Sequence, residues 1–222
     1  MPNAIMLFAA GFGTRMGALT TDRPKPLIDV AGKPLLDHAL ALTKGIQTRV
    51  VNAHYKADQI HSHINGSEVQ VIEEHPQVLD TGGGLRNALP ILGHNPVFTL
   101  NTDAVWNGPN PLDALRTAWD PAQMDALLLC VPLKNAIGRQ GGGDFSISED
   151  GRLTRKGDFV YVGAQIVKTD RLSEIEKDVF SLNDLWNLMA GQNRLFGTVY
   201  SGQWCDVGHP HGITLAEEML DV

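Results

Sequence analysis

Short apolar runs recur along this chain, separated by stretches that carry apolar residues on one helical face. Residues 5–8, Ile-Met-Leu-Phe, are apolar without interruption and break into glycines, the pattern of a buried strand. Residues 34–42 predict a helix, 49–52 a short strand, 57–64 a helix and 69–72 the next strand. A glycine run then opens a helix near 85–89. Residues 97–100 predict a strand that ends at Asn101-Thr102-Asp103, 111–119 a helix and 126–131 an apolar strand. Strands alternating with helices predict an α/β chain with a mainly parallel sheet flanked by helices on both faces.

The pattern changes after Val131. Residues 134–157 are polar and glycine-rich with short alternating pieces, such as Phe145-Ser146-Ile147-Ser148, that suit a hairpin. Residues 159–167 predict a longer strand, 182–189 a helix, 195–200 a strand and 213–220 a last helix. No repeat, low-complexity tract or linker divides the 222 residues, so one domain is expected, with a small β insertion in its second half.

Composition narrows the function classes. A hydrophobic share of 43% with 19% charged residues is that of an ordinary globular protein. The net charge of −7 argues against a nucleic-acid partner, because the densest basic group is only Arg15, Arg23, Lys25 and Lys33. Cys130 and Cys205 are too few for a disulfide framework and lack zinc spacing, so both are expected to pack as small hydrophobes. With no basic leader and no apolar run near the roughly 18 residues of a membrane span, a soluble cytoplasmic protein is expected.

The first turn carries the chemistry. Leu7-Phe8-Ala9-Ala10-Gly11-Phe12-Gly13-Thr14-Arg15-Met16 is answered by Arg23-Pro24-Lys25-Pro26-Leu27. Glycines let backbone N–H groups approach a phosphate closely, and Arg15 and Lys25 add two fixed positive charges. That combination suits a nucleoside triphosphate. Gly11, Gly13 and Gly17 also resemble a dinucleotide fingerprint, which would want an acidic residue ending the second strand. The second strand ends Val51-Asn52-Ala53-His54, without a carboxylate, and favours the triphosphate reading.

Asp103, at the carboxyl end of a strand, is placed for a metal, and Asp206 in Trp204-Cys205-Asp206-Val207-Gly208 is its candidate partner. Two carboxylates completed by phosphate oxygens and water suit Mg²⁺. Asp80-Thr81-Gly82-Gly83-Gly84 could admit a planar base or form a plain turn, and Gly141-Gly142-Gly143-Asp144 could be a hairpin turn. His54, His61, His63, His75, His209 and His211 form no helical metal motif and are expected mostly at the surface.

Taken together, these segments resemble the sugar-1-phosphate nucleotidyltransferases. The likeness runs from the apolar strand through Ala10-Gly11-Phe12-Gly13-Thr14-Arg15-Met16, Pro24-Lys25-Pro26-Leu27, Gly32-Lys33-Pro34-Leu35, Thr81-Gly82-Gly83-Gly84 and Asn101-Thr102-Asp103 to Trp204–Gly208, essentially the whole chain. The resemblance implies a Rossmann-like, GT-A-like fold whose β insertion lies on the substrate side. Residues of about 1–131 would bind the nucleotide and about 132–222 the sugar. It implies attack by a sugar 1-phosphate on the α-phosphorus of a nucleoside triphosphate, with Mg²⁺ as cofactor and pyrophosphate leaving.

By this likeness Arg15 faces the β- and γ-phosphates and Lys25 the α-phosphate and incoming sugar phosphate. Asp103 and Asp206 hold Mg²⁺; Ala10, Gly11, Gly13 and Thr14 cradle the nucleotide; Gly82 and Gly83 approach the base. Asn101, Asp144 and Gly163 face the sugar. The compact length, Asp80–Gly84 and Gly142-Gly143-Asp144-Phe145 are most similar to the branch that uridylylates N-acetylmuramate 1-phosphate from UTP in peptidoglycan recycling. Mannose-1-phosphate guanylyltransferases are the competing branch, and a non-catalytic nucleotide sensor is the alternative of a different class. The partners implied are small molecules, with a monomer or small homo-oligomer and no C-terminal β-helix. Two departures stand out: Gly17-Ala18 where the family has proline two residues after the Met, and Asp80 where Glu is common.

Overall fold

The computed structural model describes residues 1–93 and 96–222. Its first half follows the alternation read from the sequence: β1 (Ala4–Phe8), a short pair β2 (Asp29–Val30) and β3 (Lys33–Pro34), α1 (Leu35–Ala41), β4 (Thr48–Ala53), α2 (Ala57–Ile64) and β5 (Val69–Glu73). Next come α3 (Asp80–Leu92), β6 (Val97–Asn101), β7 (Ala104–Asn107), α4 (Pro111–Ala118) and β8 (Ala126–Pro132). The second half holds β9 (Ala136–Ile137), β10 (Phe145–Ile147), β11 (Leu153–Arg155), β12 (Phe159–Val167), α5 (Leu182–Ala190), β13 (Leu195–Val199), β14 (Gln203–Asp206) and α6 (His211–Met219).

The main sheet has nine strands. β5, β4, β1 and β6 lie side by side in parallel; β12 then runs antiparallel to β6, followed by β8 and, parallel to β8, β13. Residues of opposite parity on β1 enter different cores. Ile5 and Leu7 pack with α1, α2 and α4 residues such as Leu36, Ile60 and Leu112. Ala4 and Met6 pack with Leu85 and Ala88 of α3 and with Leu185 and Met189 of α5. Both faces are therefore covered, which is why the strand reads as an unbroken apolar run. Cys130 and Cys205 lie buried and unpaired, and burial pushes both thiols up to about 12. They pack as hydrophobes, as expected.

Only part of the second half is an addition. The strands β12 and β13 are integral to the main sheet, and the added piece is the β10–β11 hairpin, which joins the amino end of β12 at Phe159. The carboxyl half of β12 pairs with β6 over Ala164–Val167. Between these two contacts the β12 ladder shifts register against β8, from Tyr161 to Gln165. A notch thus opens beside the carboxyl end of β6. A second, small sheet in the order β7-β14-β9 closes the other side of that edge, packed under α6 by Val105, Cys205, Val207 and Ala216.

One ion cluster ties the sheet edge far from the notch. Asp125 accepts from Lys168 Nζ at 2.9 Å and Arg194 Nε at 2.8 Å, with only 13% of its side chain exposed. Burial alone would push its carboxyl up, but the two cations outweigh that and hold it below the usual carboxylate range. A depressed folded-state pKa adds stability that is complete above the unfolded value near about 4 and lost as pH falls through the folded value. Asp125→Asn is expected to lower the unfolding free energy by about 2 kcal/mol at pH 7. In urea titrations across pH the gap to the parent protein should close below about pH 4.

Candidate active site

The carboxyl end of β1 turns into the glycine loop, and each loop residue has a physical reason. Ala9 N–H donates to Asn52 Oδ1 at 2.7 Å, which anchors the loop to β4. Gly13 sits at φ +65°, and a Cβ there would lie 2.8 Å from Lys25 Cβ and 2.9 Å from Thr20 Cγ2. Only glycine fits that turn against the Lys25 and Thr20 side chains. Arg15 follows in a short 3₁₀ segment, Thr14–Thr20, while Pro24 leads Lys25 into another, Lys25–Leu27. The loop and the Pro-Lys-Pro-Leu segment are therefore one packed unit.

Lys25 is 8% exposed, and a buried ammonium needs a partner. It donates from Nζ to Asp103 Oδ2 at 2.8 Å. Burial alone would raise the Asp103 carboxyl; Lys25, with Arg15 further off, outweighs burial and holds it below the usual range. Thr102 Oγ1 donates to Phe8 O at 2.7 Å and clamps the ends of β1 and β6 together. Val207 N–H donates to Asp103 O at 2.9 Å, and β14 pairs antiparallel with β7 so that Asp206 lies opposite Ala104. Two carboxylates far apart in sequence thus meet. Burial and then the Asp103 charge push the Asp206 carboxyl up, against the pull of Lys25, Arg15 and Arg139. Arg15 Nη1 stands beside them: a Cβ on Gly208 would be 3.0 Å from it and 3.0 Å from Asp206 Oδ1.

This pair fits a divalent cation. Among the described residues no three His, Cys, Asp or Glu side chains are grouped to hold a metal. The site therefore offers two carboxylates at most and leaves the remaining positions to ligand oxygens and water, the arrangement Mg²⁺ favours.

A cavity of about 310 Å³ lies over the loop, lined among others by Gly11, Arg15, Lys25, Asn52, Glu74 and Asp103. Its floor is a buried polar pair. Asn52 Nδ2 donates to Glu74 Oε1 at 2.6 Å, and Glu74 Oε2 accepts from Leu79 N–H at 2.7 Å. Asn52 and Glu74 are 3% and 1% exposed. Asn52→Ala would strand the Ala9 amide and the Glu74 carboxylate, and an unsatisfied buried group costs about 1–3 kcal/mol. We expect a loss in that range by chemical denaturation and a weaker KM for the nucleotide. Unchanged stability would separate the pair from the loop.

A second cavity of about 310 Å³ opens at the notch and shares Asp80, Thr81 and Asn101 with the first. Its inner wall is aromatic: Trp186 lies edge-on to Tyr161, with centroids 5.0 Å apart, and to Phe145 at 6.1 Å. Trp186 is fixed by an Nε1–H bond to Gln165 Oε1 at 2.9 Å. Asp144 substitutes for the strand that β6 does not extend: its Oδ2 accepts from Tyr161 N–H at 3.0 Å and its Oδ1 from Arg139 Nη2 at 2.7 Å. Gly163, at φ +81°, leaves room for the Asn101 side chain, whose Cβ would be 2.8 Å from a Cβ at 163. Asp80 holds φ +60°, a conformation Asp tolerates, and its Oδ1 accepts from Thr81 N–H.

The structure distributes the expected site residues as follows. Ala10, Gly11, Gly13, Thr14, Arg15, Lys25 and Asp103 line the first cavity, Asp144 the second, and Asn101 both. Asp206 stands against Asp103, and Gly163 packs against the Asn101 side chain. Gly82 and Gly83 lie outside the linings of these two cavities, and both amides donate to Phe180 O, at 2.9 and 3.0 Å. A Cβ at 82 would strike the Phe180 ring and one at 83 Asp178 O, so close packing requires these glycines. Of the histidines, His61 and His75 bond Glu73 and His63 bonds Asp37, all exposed, as expected of surface groups. Sequence reasoning missed Asn52 and Glu74, although a lone Asn in the apolar Val50-Val51-Asn52-Ala53 run was a usable signal. It also missed Arg139, Arg155 and Trp186.

With this geometry in hand, comparison with known proteins identifies the relatives. The MobA-like NTP transferase domain family matches residues 5–137. An N-acetylmuramate alpha-1-phosphate uridylyltransferase of Caulobacter vibrioides is 38% identical across 99% of this chain and 97% of its own length. One of Neisseria meningitidis is 33% identical across 91% of this chain and 92% of its own. Among solved structures, a putative glucose-1-phosphate thymidylyltransferase from Bacillus anthracis shares the fold with a TM-score of 0.82 at 16% identity, over 97% of this chain and 94% of that one. The chain belongs to the MobA-like NTP transferase family and is a sugar-1-phosphate nucleotidyltransferase.

Proposed function

We propose that the chain transfers a uridylyl group from UTP to the phosphate of N-acetylmuramate 1-phosphate. The reaction half of this reading is carried by one observation: a cavity bearing Arg15, Lys25 and Asp103 opens into a second through Asp80, Thr81 and Asn101. The substrate half is supported by the named activity of a relative 38% identical over nearly the whole length. A sugar-phosphate oxygen attacks the α-phosphorus, the bond to the β-phosphate oxygen breaks, and its electron pair leaves with pyrophosphate. The second pKa of a phosphate monoester lies near about 6, so the nucleophile is already ionised at neutral pH and needs no general base.

Bringing two polyanions together is then the main task. Backbone groups of Ala10, Gly11, Gly13 and Thr14 cradle the nucleotide. Arg15 faces the β- and γ-phosphates, and Lys25 the α-phosphate and the acceptor phosphate. Asn101 borders both substrates, and Asp144 frames the sugar. Mg²⁺ held by Asp103 and Asp206 would offset phosphate charge when bound. Residues of about 1–131 serve the nucleotide and about 132–222 the sugar within one domain, apart from Asp206, which returns to the nucleotide end. The reaction belongs in the cytoplasm, where it returns a recovered cell-wall sugar to precursor synthesis. No helix among the described residues is long and apolar enough to cross a membrane.

The test is a product assay with each common nucleoside triphosphate and a panel of sugar 1-phosphates. UDP-N-acetylmuramate as the preferred product supports the reading. Preference for another pair overturns the substrate assignment, and silence across the panel favours a nucleotide sensor.

A further inference from the structure

The second cavity carries two arginines whose surroundings differ. Arg139 is neutralised: its Nη2 donates to Asp144 Oδ1 at 2.7 Å. Arg155, at the end of β11, is held only by neutral oxygens. Its Nη1 donates to Asn183 Oδ1 at 2.7 Å, and its Nη2 to Asn187 Oδ1 at 3.0 Å and Asn183 O at 3.4 Å. Its guanidinium lies 4.9 Å from the Phe145 ring centroid and 5.6 Å from that of Trp186. Both rings line the same cavity as Arg155.

A guanidinium presents a planar fork of donors that matches a carboxylate or a phosphate. Here three amide oxygens and two aromatic rings orient the group, and the carboxylate that acts on its charge, Asp144, is already bonded by Arg139 Nη2 and Tyr161 N–H. Neutral acceptors on α5 fix the head from one side, and the rings fix its plane. No carboxylate bonds it among the described residues. Such pre-organised positive charge beside a sugar-sized space fits an anionic group on the sugar itself, distinct from the phosphate that must approach Lys25.

We infer that Arg155 determines acceptor specificity by pairing with a carboxylate on the sugar ring substituent. The inference rests on the proposed acceptor reading, because N-acetylmuramate carries a lactyl carboxylate that N-acetylglucosamine lacks. It adds the residue that tells the two apart. Discrimination by a charge-assisted bond is at least about tenfold, since the competing neutral sugar leaves the guanidinium unanswered.

The experiment compares three acceptors with UTP: N-acetylmuramate 1-phosphate, its lactyl carboxamide, and N-acetylglucosamine 1-phosphate. The wild-type protein should prefer the acid over its amide at least tenfold in kcat/KM, through KM and not kcat. Arg155→Met should collapse that preference toward unity, and Arg155→Lys should restore part of it. Equal use of acid and amide by the wild-type protein overturns the inference without any variant having to fold. So does an Arg155→Met enzyme that keeps the preference. If the wild-type protein accepts only neutral sugar phosphates, the acceptor reading itself fails, and that outcome is visible before any variant is compared.

Discussion

Lys25→Met is expected to lower kcat/KM by about 10³-fold while the protein still folds. A single pre-organised group facing transition-state charge is worth about 10²–10³ in rate, and the proposed reaction sets Lys25 before two phosphates. Its ammonium is fixed by Asp103 Oδ2 at 2.8 Å in the lining of the loop cavity, so its position is set before the substrates arrive. The variant also leaves Asp103 without its buried partner. That side chain is 34% exposed, so water answers part of the loss and the stability cost stays near about 1 kcal/mol. Lys25→Arg should not rescue activity, because Lys25 is 8% exposed with its Nζ set 2.8 Å from Asp103 Oδ2, and a longer, planar head does not put its charge at that point. Steady-state pyrophosphate release measures the effect, and near-normal turnover in the methionine variant would remove Lys25 from the chemistry.

Asp206→Asn is expected to separate activity from stability. In the ligand-free protein Asp206 faces Asp103, and burial together with that neighbouring charge works against its ionised form. A carboxyl held above its unfolded pKa subtracts stability once it ionises, so removing the charge should leave the melting temperature unchanged or slightly raised. Activity should nevertheless fall by about 10²–10³-fold, with the Mg²⁺ dependence weakened or abolished, because half of the carboxylate pair is gone. Thermal melts without metal and Mg²⁺ titrations of turnover give both readings. A variant that melts lower and keeps wild-type Mg²⁺ dependence would make Asp206 a structural residue.

Most of the sheet was legible because its strands are buried on both faces. The run Ala126–Pro132 contains no polar residue and reads as a core strand at once. The small sheet was not legible: Ala104-Val105-Trp106-Asn107 and Gln203-Trp204-Cys205-Asp206 are short, and they pair with each other across the chain. Their pairing is what brings Asp206 to Asp103; from sequence the two aspartates could be offered as partners only because each follows a predicted strand. The insertion of β12 between β6 and β8 was hidden for the same reason, since no local pattern encodes a partner so distant. At Gly82 and Gly83, a glycine that close packing against Phe180 and Asp178 requires looks, in sequence, like one required by a ligand. Arg155 was invisible because its meaning lies in its neutral neighbours on α5.

The central claim is that the α-phosphorus of the nucleotide moves to the sugar phosphate. Turnover of UTP labelled separately at the α- and γ-phosphates with the acceptor and Mg²⁺ tests it most directly. The account predicts α-label wholly in the sugar nucleotide and γ-label wholly in pyrophosphate. Gamma-label in a phosphorylated sugar, or α-label released as a free nucleotide without sugar nucleotide, would contradict it.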